Sequence, residues 1–247
     1  MNSNIHWRTL IVLLVTCKHK YCTRATCIWF YETITILTIY ESVTITCFSA
    51  TIDMTIFQIE SNKELPRPGS LLISAPFLLD FNFARSVVLM IEHNDEGSMG
   101  IVLNKNFSNM MSLHDVVPEL ASLPPIPIYK GGPIGRDTLF YLHTFSDIKD
   151  ALPLGNGLYM NGDFEQMKGH LLSGTPTQGL VRFFMGYAGW QKGQLKQEID
   201  SNTWIINNDS HVDLLHMYLR DLWKETLCEL GGKYAVWSRY PKYPIMN

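Results

Sequence analysis

The chain has 247 residues, of which 46% are hydrophobic and 17% charged, with a formal net charge of −3. That length leaves room for one or two sizeable cores. The near-neutral charge argues against a nucleic-acid module built on a basic face, and no apolar run reaches the roughly 20 residues of a membrane helix.

The averages conceal a split. All 17 Gly and all 12 Pro lie after residue 54, where average usage would put about six of them before it. Four of the five Cys (Cys17, Cys22, Cys27, Cys47) and 18 Ile plus Thr fall in those first 54 residues. Arg8, the run Leu10 to Val15 and then Thr16-Cys17 have the order of a lipoprotein signal. The run is shorter than the ~7–15 residues such a signal needs, and Thr16 is larger than the usual small residue before the Cys. The spacing of Cys17, Cys22 and Cys27, with His19 and Cys47, could supply zinc ligands, but no Gly or Pro turns form a knuckle around them. From Trp29 to Ile52, Ile, Val and Phe alternate with Thr and Ser, which favours strand, yet no turn residue specifies a hairpin. We read residues 1–53 as an extension outside the main domain, disordered or an artefact of the start site. On this reading translation begins at Met54 and gives 194 residues. The intact mass of the native protein is the discriminating measurement.

The segment 54–247 reads as one domain, with 16 Lys plus Arg against 20 Asp plus Glu after Met54. Strands are expected at Ser70–Ala75, at Ser86–Ile91 and at Met99–Leu103, the last two joined by the polar turn His93–Ser98 as an antiparallel hairpin. Ser112 and Asp115 form a capping box for a helical segment stopped near Pro118. Short strands follow at Ile126–Tyr129 and Leu139–Leu142, broken apart by Gly131, Gly132 and Pro133. Gly157–Met160 reads as strand, Asp163 caps a helix through Leu172, and Gly179–Met185 is a Phe-rich strand. Gln191–Ile199 reads as helix and Thr203–Ile206 as strand. Ser210 to about Leu230 carries Leu214, Leu215, Tyr218, Leu222 and Leu227 at helical spacing, with Gly231 as its stop and an extended tail beyond. Hairpin signals among helices predict a mixed α/β fold.

Tests for chemistry are mostly negative. Gly131–Thr138 and Gly186–Gly193 have glycines but lack the Lys-Ser/Thr of a phosphate loop. Ser98 misses the first Gly of a nucleophile elbow, and Cys228 reads as a buried thiol. His211 and His216 are five apart, which is wrong for two ligands on one helix face. Neither a metal set nor a cofactor motif stands out. The most suggestive polar groups are Asp80, Arg85, Glu92, His93 and Asn104, at the ends of the expected hairpin strands, with His143 closing another strand. They could line a cleft, or they could be caps and loop contacts, which base rates favour.

The stretch GSLLISAPFLLDFNFARSVVLMIEHNDEGSMGIVLNK from Gly69 resembles the opening motif of the AlgH/YqgE family. YKGGPIGRDTLFYLHT, GLYMNGDFE, RFFMGYAGWQKGQLKQEI and LGGKYAVWSRYPKYPIMN follow in family order, to Asn247. The resemblance implies a branched, partly barrel-like sheet flanked by helices, in a cytoplasmic bacterial protein. One member of the family is labelled a regulator of alginate synthesis, and no catalytic residue or cofactor carries over. Arg85, His93, Gly100, Asn104, Gly131, Gly132, Pro133, Leu142, His143, Gly186, Gly189, Trp190, Gln194 and Leu195 fall on motif positions. Ser98 and Lys196 depart from the pattern, Lys196 standing where Glu is common. The expected function is regulatory or binding, without established catalysis and with a protein or small-molecule partner. Nucleic-acid and membrane partners are disfavoured. The alternative is an enzyme with a cleft around Arg85, His93, Asn104 and His143.

Overall fold

The computed structural model describes residues 59–215 and 221–242, together with the backbone of five strands between residues 11 and 50. Contacts divide the chain into residues 1–58 and 59–247. In the first unit, β1 (Ile11–Thr16), β4 (Thr33–Ile39) and β5 (Ile45–Ala50) form one antiparallel sheet, and β2 (His19–Thr23) pairs with β3 (Thr26–Phe30). The side chains of His19 and of the four early cysteines lie outside the described residues.

The second unit is built on a ten-stranded sheet. Its strands are β6 (Leu71–Ser74), β7 (Val87–Asn94), β8 (Gly97–Val102), β9 (Met111–Ser112) and β10 (Pro127–Lys130). They continue with β11 (Ile134–His143), β12 (Leu152–Gly155), β13 (Leu158–Met160), β14 (Val181–Gln191) and β15 (Trp204–Asn207). The main order is β12-β13-β11-β14-β8-β7-β6-β15, and a side branch of β10 and β9 leaves from β14. All of these pairings are antiparallel except β10 with β14. The fold is therefore mixed α/β and branched, as expected, and the sheet remains open rather than closing into a barrel.

Both faces of the sheet are covered, which explains why its strands read as continuous apolar runs rather than alternating ones. Leu71, Ile73, Leu89 and Ile101 face one core with Trp223, Leu227 and Trp237 of α3 (Leu222–Leu230) and α4 (Gly232–Trp237). Leu72, Val88, Met90 and Val102 face the other way, against Leu195 and Ile199 of α2 (Gln194–Asp200). A third core joins Ile128, Tyr141, Phe183 and Met185 to Met167 and Leu171 of α1 (Phe164–Leu172). Asp163 caps α1 by accepting from the amides of Glu165 and Gln166.

Several expectations need correction. The capping box of Ser112 and Asp115 is present, but it starts a single 3₁₀ turn over Leu113–Asp115. No helix begins at Ser210. The described residues 210–215 are irregular, α3 starts at Leu222, and residues 216–220 lie outside the described residues. Tertiary partners hold this segment instead. The Glu229 carboxylate accepts from Ser210 Oγ (2.7 Å) and from the His211 amide (2.6 Å), and the Leu214 carbonyl accepts from Arg182 (3.1 Å). The first part of the expected extended tail instead forms α4, which carries the fully buried Trp237, and residues 243–247 lie outside the described residues. Cys228 is exposed rather than buried.

Candidate functional site

The glycine motif sits where the sheet branches. The first part of β14 has β11 on one side and β10 on the other, whereas Ala188 to Gln191 pair with β8. Gly131 occupies the fork. Its amide donates to Met185 O (2.8 Å) and its carbonyl accepts from the Val102 amide (2.7 Å), so it bridges both strands. A Cβ on Gly131 would collide with the Gly186 carbonyl, and one on Gly132 with the Tyr187 carbonyl. Gly186 has φ +77°, a conformation that glycine takes without steric cost. These glycines allow three backbones to meet, and Pro133 ends β10 beside them.

Beyond the fork, β14 ends at a polar knot that sequence reasoning missed. Glu198 on α2 accepts from the indole N–H of Trp190 (2.8 Å) and of Trp204 (2.7 Å), both at Oε2. Its Oε1 accepts from the Gln194 side chain (2.9 Å), and Gln194 Oε1 accepts from the Gln191 amide (3.0 Å). The i,i+4 spacing of Gln194 and Glu198 was a legible signal, but the two tryptophans converge only through the fold. Lys196, the departure from the family pattern, points elsewhere and pairs with Asp200 at 2.7 Å.

Beside this knot an open groove of about 530 Å³ lies over the paired ends of the β7–β8 hairpin and β14. Gly189, Trp190 and Gln194 line it, with Tyr187, Ser98 and Glu92. Its wall offers hydroxyl, amide and carboxylate groups on a fixed frame. Lys192 stands 3.9 Å from the Glu96 carboxylate at its rim.

Arg85, His93, Asn104 and His143 do not share this groove. Asn104 accepts from the Val87 amide (3.0 Å) and donates to the Arg85 carbonyl (2.9 Å), which pins Arg85 at φ +52°. The Arg85 guanidinium lies 4.6 Å from the centre of the Trp223 ring and donates to the Tyr240 carbonyl. Burial lowers its pKa. The pair forms a clamp that holds the turn before β7 against Trp223 of α3 and Tyr240. His93 is exposed on the hairpin, with Nδ1 2.7 Å from Ser98 Oγ.

His143 lies elsewhere. Ser98, the partner of His93, pairs with Trp190, whereas His143 pairs with Val181, nine positions back along β14. At ~3.3 Å per residue that is about 30 Å. His143 is fully buried, its Nδ1 accepts from the Phe145 amide (3.2 Å), and its Nε2 donates to the Asn161 carbonyl (2.8 Å). Those partners assign the neutral tautomer, and burial lowers its pKa. The expected four-residue cleft therefore does not form. Among the described residues no three His, Cys, Asp or Glu side chains are placed to hold a metal, and no helix is long and apolar enough to cross a membrane.

Sequence and structure comparisons place this geometry among known proteins. The AlgH-like family model matches residues 71–235. A UPF0301 protein of Bacteroides fragilis is 50% identical over 196 residues, covering 79% of this chain and 99% of that protein. One of Bacteroides thetaiotaomicron is 47% identical over the same length and coverage. The crystal structure of a Corynebacterium diphtheriae protein superposes with a TM-score of 0.58 at 25% identity, over 72% of this chain and 94% of that one. The solution structure of the AlgH protein from Pseudomonas aeruginosa gives a TM-score of 0.54 at 28% identity, over 73% and 100%.

Proposed function

The chain belongs to the AlgH-like family, and from that premise we propose that it is a cytoplasmic binding protein with a regulatory role, carried by residues 54–247. Its groove over the paired ends of the β7–β8 hairpin and β14 receives a protein segment or a small molecule. One observation carries the reading: three motif positions, Gly189, Trp190 and Gln194, line the same groove. Trp190 and Gln194 are held by Glu198 and so present a preorganised wall, which lowers the entropic cost of binding. The regulatory part of the reading comes from the family resemblance. The enzyme alternative rested on a cleft whose four residues do not converge, and His143 spends both ring nitrogens on backbone groups.

The test is a thermal-shift screen of the full chain against bacterial metabolites and peptides, followed by titration of each hit. The proposal expects hits whose affinity falls at least tenfold in Tyr187→Ala or Gln191→Ala, with the hit recovered unchanged. Conversion of a hit to product would establish catalysis and refute the proposal. So would tight, salt-sensitive DNA retention on a filter at moderate salt.

A further inference from the structure

The turn between β6 and β7 carries apolar side chains outward. Leu79 is 84% exposed and Phe81 88%. Neither is needed to shape the turn. Asp80 Oδ1 accepts from the amides of Asn82 (2.8 Å) and Phe83 (2.9 Å), and the Phe83 ring packs against Trp190 and Trp204. Two large apolar groups thus stand in water on a turn that other residues already fix, which is the mark of a contact surface.

Positive charge gathers at the base of the same turn. Lys105 and Lys130 are bonded neighbours, the Lys130 amide donating to the Lys105 carbonyl (3.0 Å). Both side chains end on the turn. Lys130 Nζ donates to Asn82 Oδ1 (3.0 Å) and lies 5.5 Å from the centre of the Phe81 ring, and Lys105 Nζ donates to the Ala84 carbonyl. Burial lowers the Lys105 pKa, repulsion from Lys242 and Lys130 lowers it further, and Asp80 opposes them. Asp80 is thus a carboxylate at the same turn as Lys105 and Lys130, and it already accepts two backbone N–H bonds. This cationic, apolar knob projects from a segment whose net charge is −4.

We propose that the knob docks into an apolar cleft rimmed by carboxylates on a partner protein, with Leu79 and Phe81 as anchors and the ammonium charges of Lys105 and Lys130 matching the acidic rim. A bilayer fits less well, because Asp80 stands between the two anchors and would have to enter with them. The acidic remainder of the segment would also be repelled by anionic lipid. A nucleic-acid strand fits less well because Leu79 offers no face for base stacking. The knob shares no residue with the lining of the groove, so the two proposals fail separately.

The test places the photocrosslinker p-benzoylphenylalanine at position 81 of the full chain in living cells, followed by sequencing of the adduct. The expected adduct joins residue 81 to a protein segment that combines Asp or Glu with aliphatic or aromatic residues. Its yield falls at least tenfold in Leu79→Ser and in Lys130→Glu, while the circular dichroism spectrum is unchanged and Gln191→Ala has no effect. Absence of an adduct, adducts to lipid or nucleic acid alone, adducts to a second copy of this chain, or a yield indifferent to both substitutions would each overturn the proposal.

Discussion

Replacing Glu198 with Ala removes one carboxylate oxygen from beneath two buried indoles. Trp204 is 1% exposed and Trp190 5%, so both N–H groups depend on this oxygen for a partner. Leaving a buried donor unsatisfied costs about 1–3 kcal/mol, which puts the pair at about 2–6 kcal/mol. For a domain of this size, about 3 kcal/mol corresponds to a fall of roughly 6–12 °C in Tm. Glu198→Gln keeps a carbonyl oxygen with two lone pairs for the same indoles but loses the charge and turns an NH2 group toward the Gln194 amide donor, so about 1–2 kcal/mol is expected. Urea unfolding of the full chain, followed by near-ultraviolet circular dichroism of the tryptophans, reads both values. Trp190→Phe combined with Glu198→Ala should cost less than the sum of the two, because the first removes a donor that the second strands. A loss below 1 kcal/mol in Glu198→Ala, or equal losses in the Ala and Gln variants, would refute this account.

Two further outcomes follow from the same geometry. Gly132→Ala drives a Cβ into the Tyr187 carbonyl at the fork of the sheet and should cost about 3 kcal/mol, whereas Gly157→Ala meets no neighbour and should cost only the ~1 kcal/mol of its left-handed backbone, both read by the urea midpoint. Burial pushes the His143 pKa below its ordinary 6.5, so unfolding takes up a proton between the two values. The stability from the neutral ring is complete above about pH 6.5 and is lost as pH falls through that window. The wild-type protein should therefore lose stability relative to His143→Gln between pH 7 and pH 5, and a pH-independent difference between the two would contradict the assignment.

The candidate site was only partly legible in the sequence. The breaks at Gly131, Gly132 and Gly186 were visible as punctuation, because glycine is the residue a chain needs where backbones crowd. Their meeting at one fork depends on the pairing of β14 with β8, β10 and β11, which no local pattern encodes. Polar residues at strand ends suggested a cleft from Arg85, His93, Asn104 and His143, but position along a strand does not say which end of the sheet a residue reaches. His93 and His143 lie about 30 Å apart along the register of β14. Glu198 escaped notice because its importance lies in Trp190 and Trp204, which only the packing of α2 against the sheet brings to one oxygen.

The sequence by itself determined the elements whose residues leave the chain few choices. These are the apolar strands buried on both faces, the Asp163 cap of α1, the stop at Gly231, and the ordered motifs that identify the family. Tertiary structure decided the rest where local preference was weak against long-range partners. Residues 210–215 carry helical spacing, yet Glu229 holds Ser210 and His211, and Arg182 takes the Leu214 carbonyl that a helix would pair. Arg182 itself is buried, lies 4.1 Å from the centre of the Tyr129 ring, and has its pKa pushed down to about 10 by desolvation. A charged side chain thus holds the inside of the fold together, because it is long enough to reach the carbonyls of both Leu103 and Leu214.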